Sequence, residues 1–249
     1  QETVERIYRA EPLFRAFGLA RVSCAIRLSD MAKSRQLLEL ARVPVAHLPA
    51  DISATELPER SVLSYIERNL GVTCAVEGKW EEAGVHWRRA IRACPTNATA
   101  HYLEGCYHQV NGNYAKGARC MQRSIALDPD FRSSYIGLSN CHLLDEAFEL
   151  AIEACDCCLH RFPDAMGAQF NLGQAVYQIL RRDWKSAEQA VERKEAAVRY
   201  YEIAKSQAPD FWTGDDARAL EWLRMEDKQA RARMPLQPVH IWRVFGWRP

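Results

Sequence analysis

The stretch Cys155-Asp156-Cys157-Cys158 is the densest run of chemically capable side chains in the sequence. Cys155 and Cys158 stand three apart and share one face if the segment is helical. Two thiolates so placed could hold a metal ion or take part in disulfide exchange. A tetrahedral zinc needs two more ligands, and His160 and the pair Cys141-His142 are the candidates. The competing reading makes both cysteines packing residues, and it is favoured because buried Cys is common and behaves as a small hydrophobe. His86, His101, His108, His142 and His160 follow no zincin-like spacing and have no Ser or Asp pattern beside them. No Gly-rich phosphate loop, nucleophile elbow or paired-carboxylate motif occurs. The expectation is a protein that is not an enzyme, with no cofactor and no metal.

The elements that would position these residues repeat. Pro95, Pro129 and Pro163 stand thirty-four residues apart, a period that marks a helix–turn–helix array. Aligning 64–97, 98–131 and 132–165 puts Leu70-Gly71, Glu104-Gly105 and Leu138-Ser139 in one column, where a small residue lets two helices approach. Trp80, Tyr114 and Phe148 share an aromatic place, and Ala83, Gly117 and Ala151 a small one. Trp87, Met121 and Cys155 share a bulky place, and Ala90, Ser124 and Cys158 another small one. The disputed cysteines thus fall in columns where other copies carry packing residues. Gly78 and Gly112 fall in the inter-helix turn, where positive φ ends a helix. Glu146 occupies that place in the third copy, which predicts a different closure.

These columns resemble the tetratricopeptide repeat family, whose Leu-Gly, aromatic, Ala, bulky, Ala and terminal Pro signature they match nearly place by place. The resemblance implies an all-α helix–turn–helix solenoid with N- and C-terminal capping helices. A fourth copy, 166–209, begins with Leu172-Gly173 and closes with Ala197, Tyr201, Ala204 and Pro209. It carries twelve extra residues within 180–193, read as about three added helical turns and a candidate contact surface.

In this family the first helix of each repeat lines the concave surface. The resemblance therefore puts Arg68, Val72, Tyr102, Cys106, Gln109, Ile136, Asn140, Phe170 and Gln174 on a partner-binding groove, with about half of such positions expected in inter-repeat packing. The family's carboxylate clamp of Lys, Asn and Arg has its five places at Arg68, Val72, Leu103, Ser133 and Gly137. Only Arg68 keeps a suitable charge, so an apolar helix or extended peptide is the expected ligand.

Residues 1–60 read as an N-terminal cap with helices over 2–27 and 30–42, the second capped by Ser29 or Asp30. Phe14, Phe17, Gly18 and Leu19 suggest a degenerate repeat there, followed by a Pro-containing linker over 43–60. The stretch 214–233 reads as a capping helix, and 235–249 as an extended tail in which Trp242, Phe245 and Trp247 are candidate partner anchors.

A formal charge of +1 over 249 residues argues against nucleic acid as the main partner. No apolar stretch reaches the length of a membrane span, which leaves a membrane-associated host complex open. Nine cysteines, an odd count in a helical chain, argue for reduced thiols in an intracellular compartment, the cytoplasm or an organelle such as the mitochondrion. Asn97-Ala98-Thr99 is a formal glycosylation acceptor, discounted at a repeat junction among reduced thiols. The functional expectation is a non-catalytic protein–protein interaction scaffold, a structural or assembly subunit of a larger complex whose partners are other subunits or a partner helix or peptide. The alternatives are a peptide-binding adaptor or co-chaperone, and a regulatory domain using the cysteine cluster for metal or redox chemistry.

Overall fold

The computed structural model describes residues 12–27, 29–45, 58–182 and 193–225. They form helices α1 (Pro12–Ile26), α2 (Met31–Arg42), α3 (Pro58–Val76), α4 (Trp80–Ala93), α5 (Ala98–Val110), α6 (Tyr114–Leu127), α7 (Arg132–Leu144), α8 (Phe148–Arg161), α9 (Met166–Arg182), α10 (Lys194–Gln207) and α11 (Gly214–Arg224). Short 3₁₀ turns lie at Val43–Val45 and Pro209–Phe211. The fold is an all-α array of tetratricopeptide-type hairpins. It divides into two compact units, 1–107 and 108–249, with the boundary inside α5.

The segments 64–97, 132–165 and 166–209 each hold one helical hairpin, and α5 and α6 fall within 98–131. The prolines 95, 129, 163 and 209 each stand two residues beyond the end of a second helix, where a missing N–H and a fixed φ forbid continuation. Those helices end alike: the amides of Cys94, Asp128, Phe162 and Ala208 donate to the carbonyls of Ala90, Ser124, Cys158 and Ala204. The inter-helix turns are also alike. Gly78 and Gly112 adopt φ of 79° and 71°. The amides of Lys79 and Asn113 reach back to Cys74 and His108 oxygens at 2.8 Å. Contrary to the sequence expectation, the third turn closes in the same way, with Glu146 at φ 59° and the Ala147 amide 2.9 Å from the His142 oxygen. The backbone accepts a left-handed non-glycine there because the hydrogen bonds of the turn hold it.

In the N-terminal unit, Ala16 and Ala20 of α1, Leu38 and Ala41 of α2, Val45, and Ile66 and Leu70 of α3 form one core. Asp30 caps α2 by accepting from the Lys33 amide at 2.9 Å, while Ser29 turns its hydroxyl to the Ile26 oxygen instead. Helix α3 begins at Pro58, inside the expected linker; proline suits a first helical turn, whose amides have no intrahelical partner.

In the C-terminal unit, the largest core joins α8, α9, α10 and α11 through Phe148, Phe170, Tyr177, Tyr201 and Trp222. Helix α9 has seventeen residues against thirteen in α7, so about one extra turn of the expected elongation is present. The rest of that elongation, 183–192, lies outside the described residues. Thr213 and Asp216 form a capping box that starts α11, which runs to Arg224; the remainder of the expected capping helix, 226–233, lies outside the described residues. The tail anchors Trp242, Phe245 and Trp247 also lie outside the described residues, as do the first eleven.

Candidate functional site

The residues that looked most capable of chemistry are occupied in packing. Cys74, Cys141, Cys155 and Cys158 are fully buried in their helices, whereas Cys157 is exposed. Burial pushes the Cys158 thiol up to about 11 and the Cys106 thiol up to about 12, and it raises Cys155 further. Such thiols stay protonated and unreactive at neutral pH. Among the described residues no three or more His, Cys, Asp and Glu side chains gather as metal ligands would. His86 sits beside a buried carboxylate, its Nδ1 2.7 Å from Glu67 Oε2. The Arg42 guanidinium meets the other Glu67 oxygen at 2.7 Å, as an ion pair rather than an aligned hydrogen bond. That group ties α2, α3 and α4 together. The Asn97 amide is engaged on both sides, donating to Ser64 Oγ and accepting from the Ala100 amide, so its role is to cap α5.

The nine expected groove residues divide sharply. In the N-terminal unit Arg68, Val72 and Cys106 are half-buried, but Tyr102 is 2% exposed. In the C-terminal unit only Gln109 keeps partial exposure. Ile136 packs with Tyr135 and Cys158, and Asn140 accepts from Asn171 Nδ2 at 2.7 Å. Phe170 meets the Tyr201 ring edge-on at 5.5 Å, and Gln174 donates to the buried Asp216 at 3.0 Å. Tyr102 is therefore interior, and so are Ile136, Asn140, Phe170 and Gln174, whose partners on neighbouring helices cover the face that the repeat register alone would leave open. Of the five clamp places Leu103 and Gly137 are buried as well.

The open face lies elsewhere, between α1 and α3 of the N-terminal unit. Phe17, Arg21 and Cys24 recur every three or four residues and form one stripe of α1; Tyr65, Arg68 and Asn69 do the same on α3. The Phe17 and Tyr65 rings lie 5.6 Å apart, and Phe17 is 38% exposed. The Arg68 guanidinium covers the Tyr65 ring at 4.7 Å and the Arg21 guanidinium stands over Phe17 at 5.9 Å. Arg27, just past the end of α1, donates to Asn69 Oδ1 at 2.7 Å, and the Cys24 thiol donates to the same oxygen at 3.1 Å. Burial lowers the Arg68 pKa, and the Arg27 charge acts in the same direction. Sequence reading reached only Arg68 and the ring position of Phe17. A usable signal was present: residues 12–27 carry Arg15, Arg21 and Arg27 with no acidic residue.

Residues 102–156 match the tetratricopeptide repeat family profile. No curated protein matches the chain. Among solved structures, the MamA protein resembles 78% of this chain over 95% of its own length, at 17% identity and a TM-score of 0.57. MamA from Desulfovibrio magneticus RS-1, from residue 41 to its end, does so over 78% and 97%, at 17% identity and 0.57. YrrB, described as a TPR protein with an unusual peptide-binding site, matches over 73% and 84%, at 15% identity and 0.53. At these identities the likeness is one of fold.

Proposed function

Because this chain is a tetratricopeptide-repeat protein, we propose that it acts as a non-catalytic protein–protein interaction scaffold, a stoichiometric subunit of a larger intracellular assembly. The observation that carries the reading is the fate of its reactive side chains. Cys155 and Cys158 sit at 0% exposure with raised thiol pKa values, and His86 is held against Glu67, so these groups serve the architecture. Buried, protonated thiols also favour a reducing compartment, cytoplasmic or organellar. Repeat arrays of this kind present surface at low cost in core, which suits holding other proteins.

An adaptor that docks short peptides is the second reading, favoured by the open Phe17–Tyr65 and arginine face between α1 and α3. YrrB, with its peptide-binding site, shows that the fold admits such a role in another protein. Size-exclusion chromatography of native extract, followed by affinity purification and mass spectrometry, separates the two. A fixed subunit elutes only in a heavy complex with constant companions. An adaptor elutes mostly alone.

A further inference from the structure

Several arginines among the described residues pair with carboxylates. Arg35 meets Glu77 and Glu82, Arg42 meets Glu67, Arg161 meets Asp130, Arg193 meets Asp156 and Arg224 meets Glu202. The trio on the α1–α3 face is different. Among the described residues, the charges bearing on Arg68 are those of Tyr65, Cys24 and Arg27, none of them a carboxylate. Those bearing on Tyr65 are Cys24, Arg68 and Arg21. Arg27 Nη2 donates to Asn69 Oδ1 and to Cys24 Sγ, while its Nε is buried with no hydrogen-bond partner among the described residues.

Like charges gathered on a half-buried face cost stability unless a ligand relieves them. Guanidinium groups also present the planar fork that carboxylates fill, and Arg with Tyr are the types that concentrate binding energy at interfaces. We propose that this face is a docking site for an acidic segment of a partner protein. Its carboxylates meet Arg21, Arg27 and Arg68, and an apolar side chain between them rests on Phe17 and Tyr65. The order Arg68, Tyr65, Phe17, Arg21 suits acidic residues that flank an apolar one. The site uses α1, which lies before the four copies aligned above, and shares only Arg68 with the groove residues expected from them. It rests on the reading of the chain as a protein–protein interaction module and deepens it, whether that module is a fixed subunit or an adaptor.

The test uses the full chain and a fluorescein-labelled peptide of about twelve residues, rich in Glu and Asp around a central Phe. Its Gln and Asn counterpart and a single-stranded oligonucleotide serve as controls. The acidic peptide should bind, its affinity should fall severalfold as salt rises through physiological strength, and Arg21→Gln and Arg68→Gln should each weaken it roughly five- to tenfold. Arg123→Gln on α6 should change it less than about twofold. Equal binding by the variants, or by the neutral peptide, overturns the proposal. Tighter binding of the oligonucleotide with the same arginine dependence also overturns it, in favour of nucleic acid. A gain of peptide binding on removing residues 1–11, which hold Glu2, Glu5 and Glu11, assigns the face to the chain's own N-terminal segment.

Cys24 supplies a readout independent of any peptide. The arginines should draw anionic iodoacetate to Cys24, so its rate relative to neutral iodoacetamide should exceed the same ratio at exposed Cys157 severalfold. Arg21→Gln with Arg68→Gln should abolish that excess, and an equal ratio in the parent chain contradicts an anion-attracting face. If the peptide fails while the chain still elutes in a heavy assembly, this site falls and the scaffold reading stands. If the peptide binds but the chain is found alone, the subunit reading falls and the site stands.

Discussion

Gly71 of α3 and Trp87 of α4 fit each other as a flat surface fits a ring: a Cβ at residue 71 would lie under 3.0 Å from three atoms of the indole. The indole Nε1 donates to the Arg68 oxygen at 3.2 Å, which fixes the ring against the helix backbone. The fourth copy repeats this arrangement with Gly173 against Tyr201. In the third copy Ser139 replaces the glycine, and the bulky place holds the smaller Cys155. Volume on one helix is traded against volume on its neighbour.

Gly71→Ala should therefore destabilise the chain by roughly 1–3 kcal/mol, the usual cost of overpacking a well-filled core. Chemical denaturation should report it as a lower midpoint at unchanged slope. Gly71→Ala with Trp87→Leu should recover part of the loss if the contact is the cause.

Gly112 has nothing within 4 Å of a notional Cβ, so Gly112→Ala isolates the backbone cost of φ 71°. The expected loss is about 1–2 kcal/mol. Thermal unfolding checks it, and a neutral result would mean that the turn can relax.

Cys155 and Cys158 should resist alkylation in the folded chain at neutral pH while Cys157 reacts, and all three should react once unfolded. Raised thiol pKa values also set a pH dependence. Above an ordinary thiol pKa of 9.0 the unfolded chain loses protons that the folded chain keeps, up to about 11 at Cys158 and about 12 at Cys106. Their contribution to stability is complete below pH 9 and declines as pH rises through that window. Melting temperature measured from pH 8 to 11 should fall, and Cys106→Ala should flatten the decline.

Glu67 is buried between His86 and Arg42. His86→Ala should cost about 1–3 kcal/mol, because it leaves a buried carboxylate oxygen without its partner. A double-mutant cycle with Glu67→Gln should show that the two effects are coupled; strict additivity would place His86 outside this group.

The repeat hairpins were legible in the sequence because their signals are local. A proline ends a helix through its own ring, and Gly78 or Gly112 permits its turn through its own φ. Small and bulky columns fix which stripes pack, since an i, i+3, i+4 pattern needs only the helix itself. The turn at Glu146 escaped that logic, because hydrogen bonds from Glu146 and Ala147 impose a conformation its side chain does not favour. Exposure escaped it more widely. Phe170 and Gln174 have the register of groove residues, but Tyr201 and Asp216, thirty or more positions onward, cover them. Arg21, Arg27 and Arg68 became a cluster only when α1 packed on α3, with Cys24 and Arg27 meeting Asn69 across more than forty residues. Periodicity determines which face a side chain occupies, but only the packing of distant helices decides whether that face meets water, another helix or a partner.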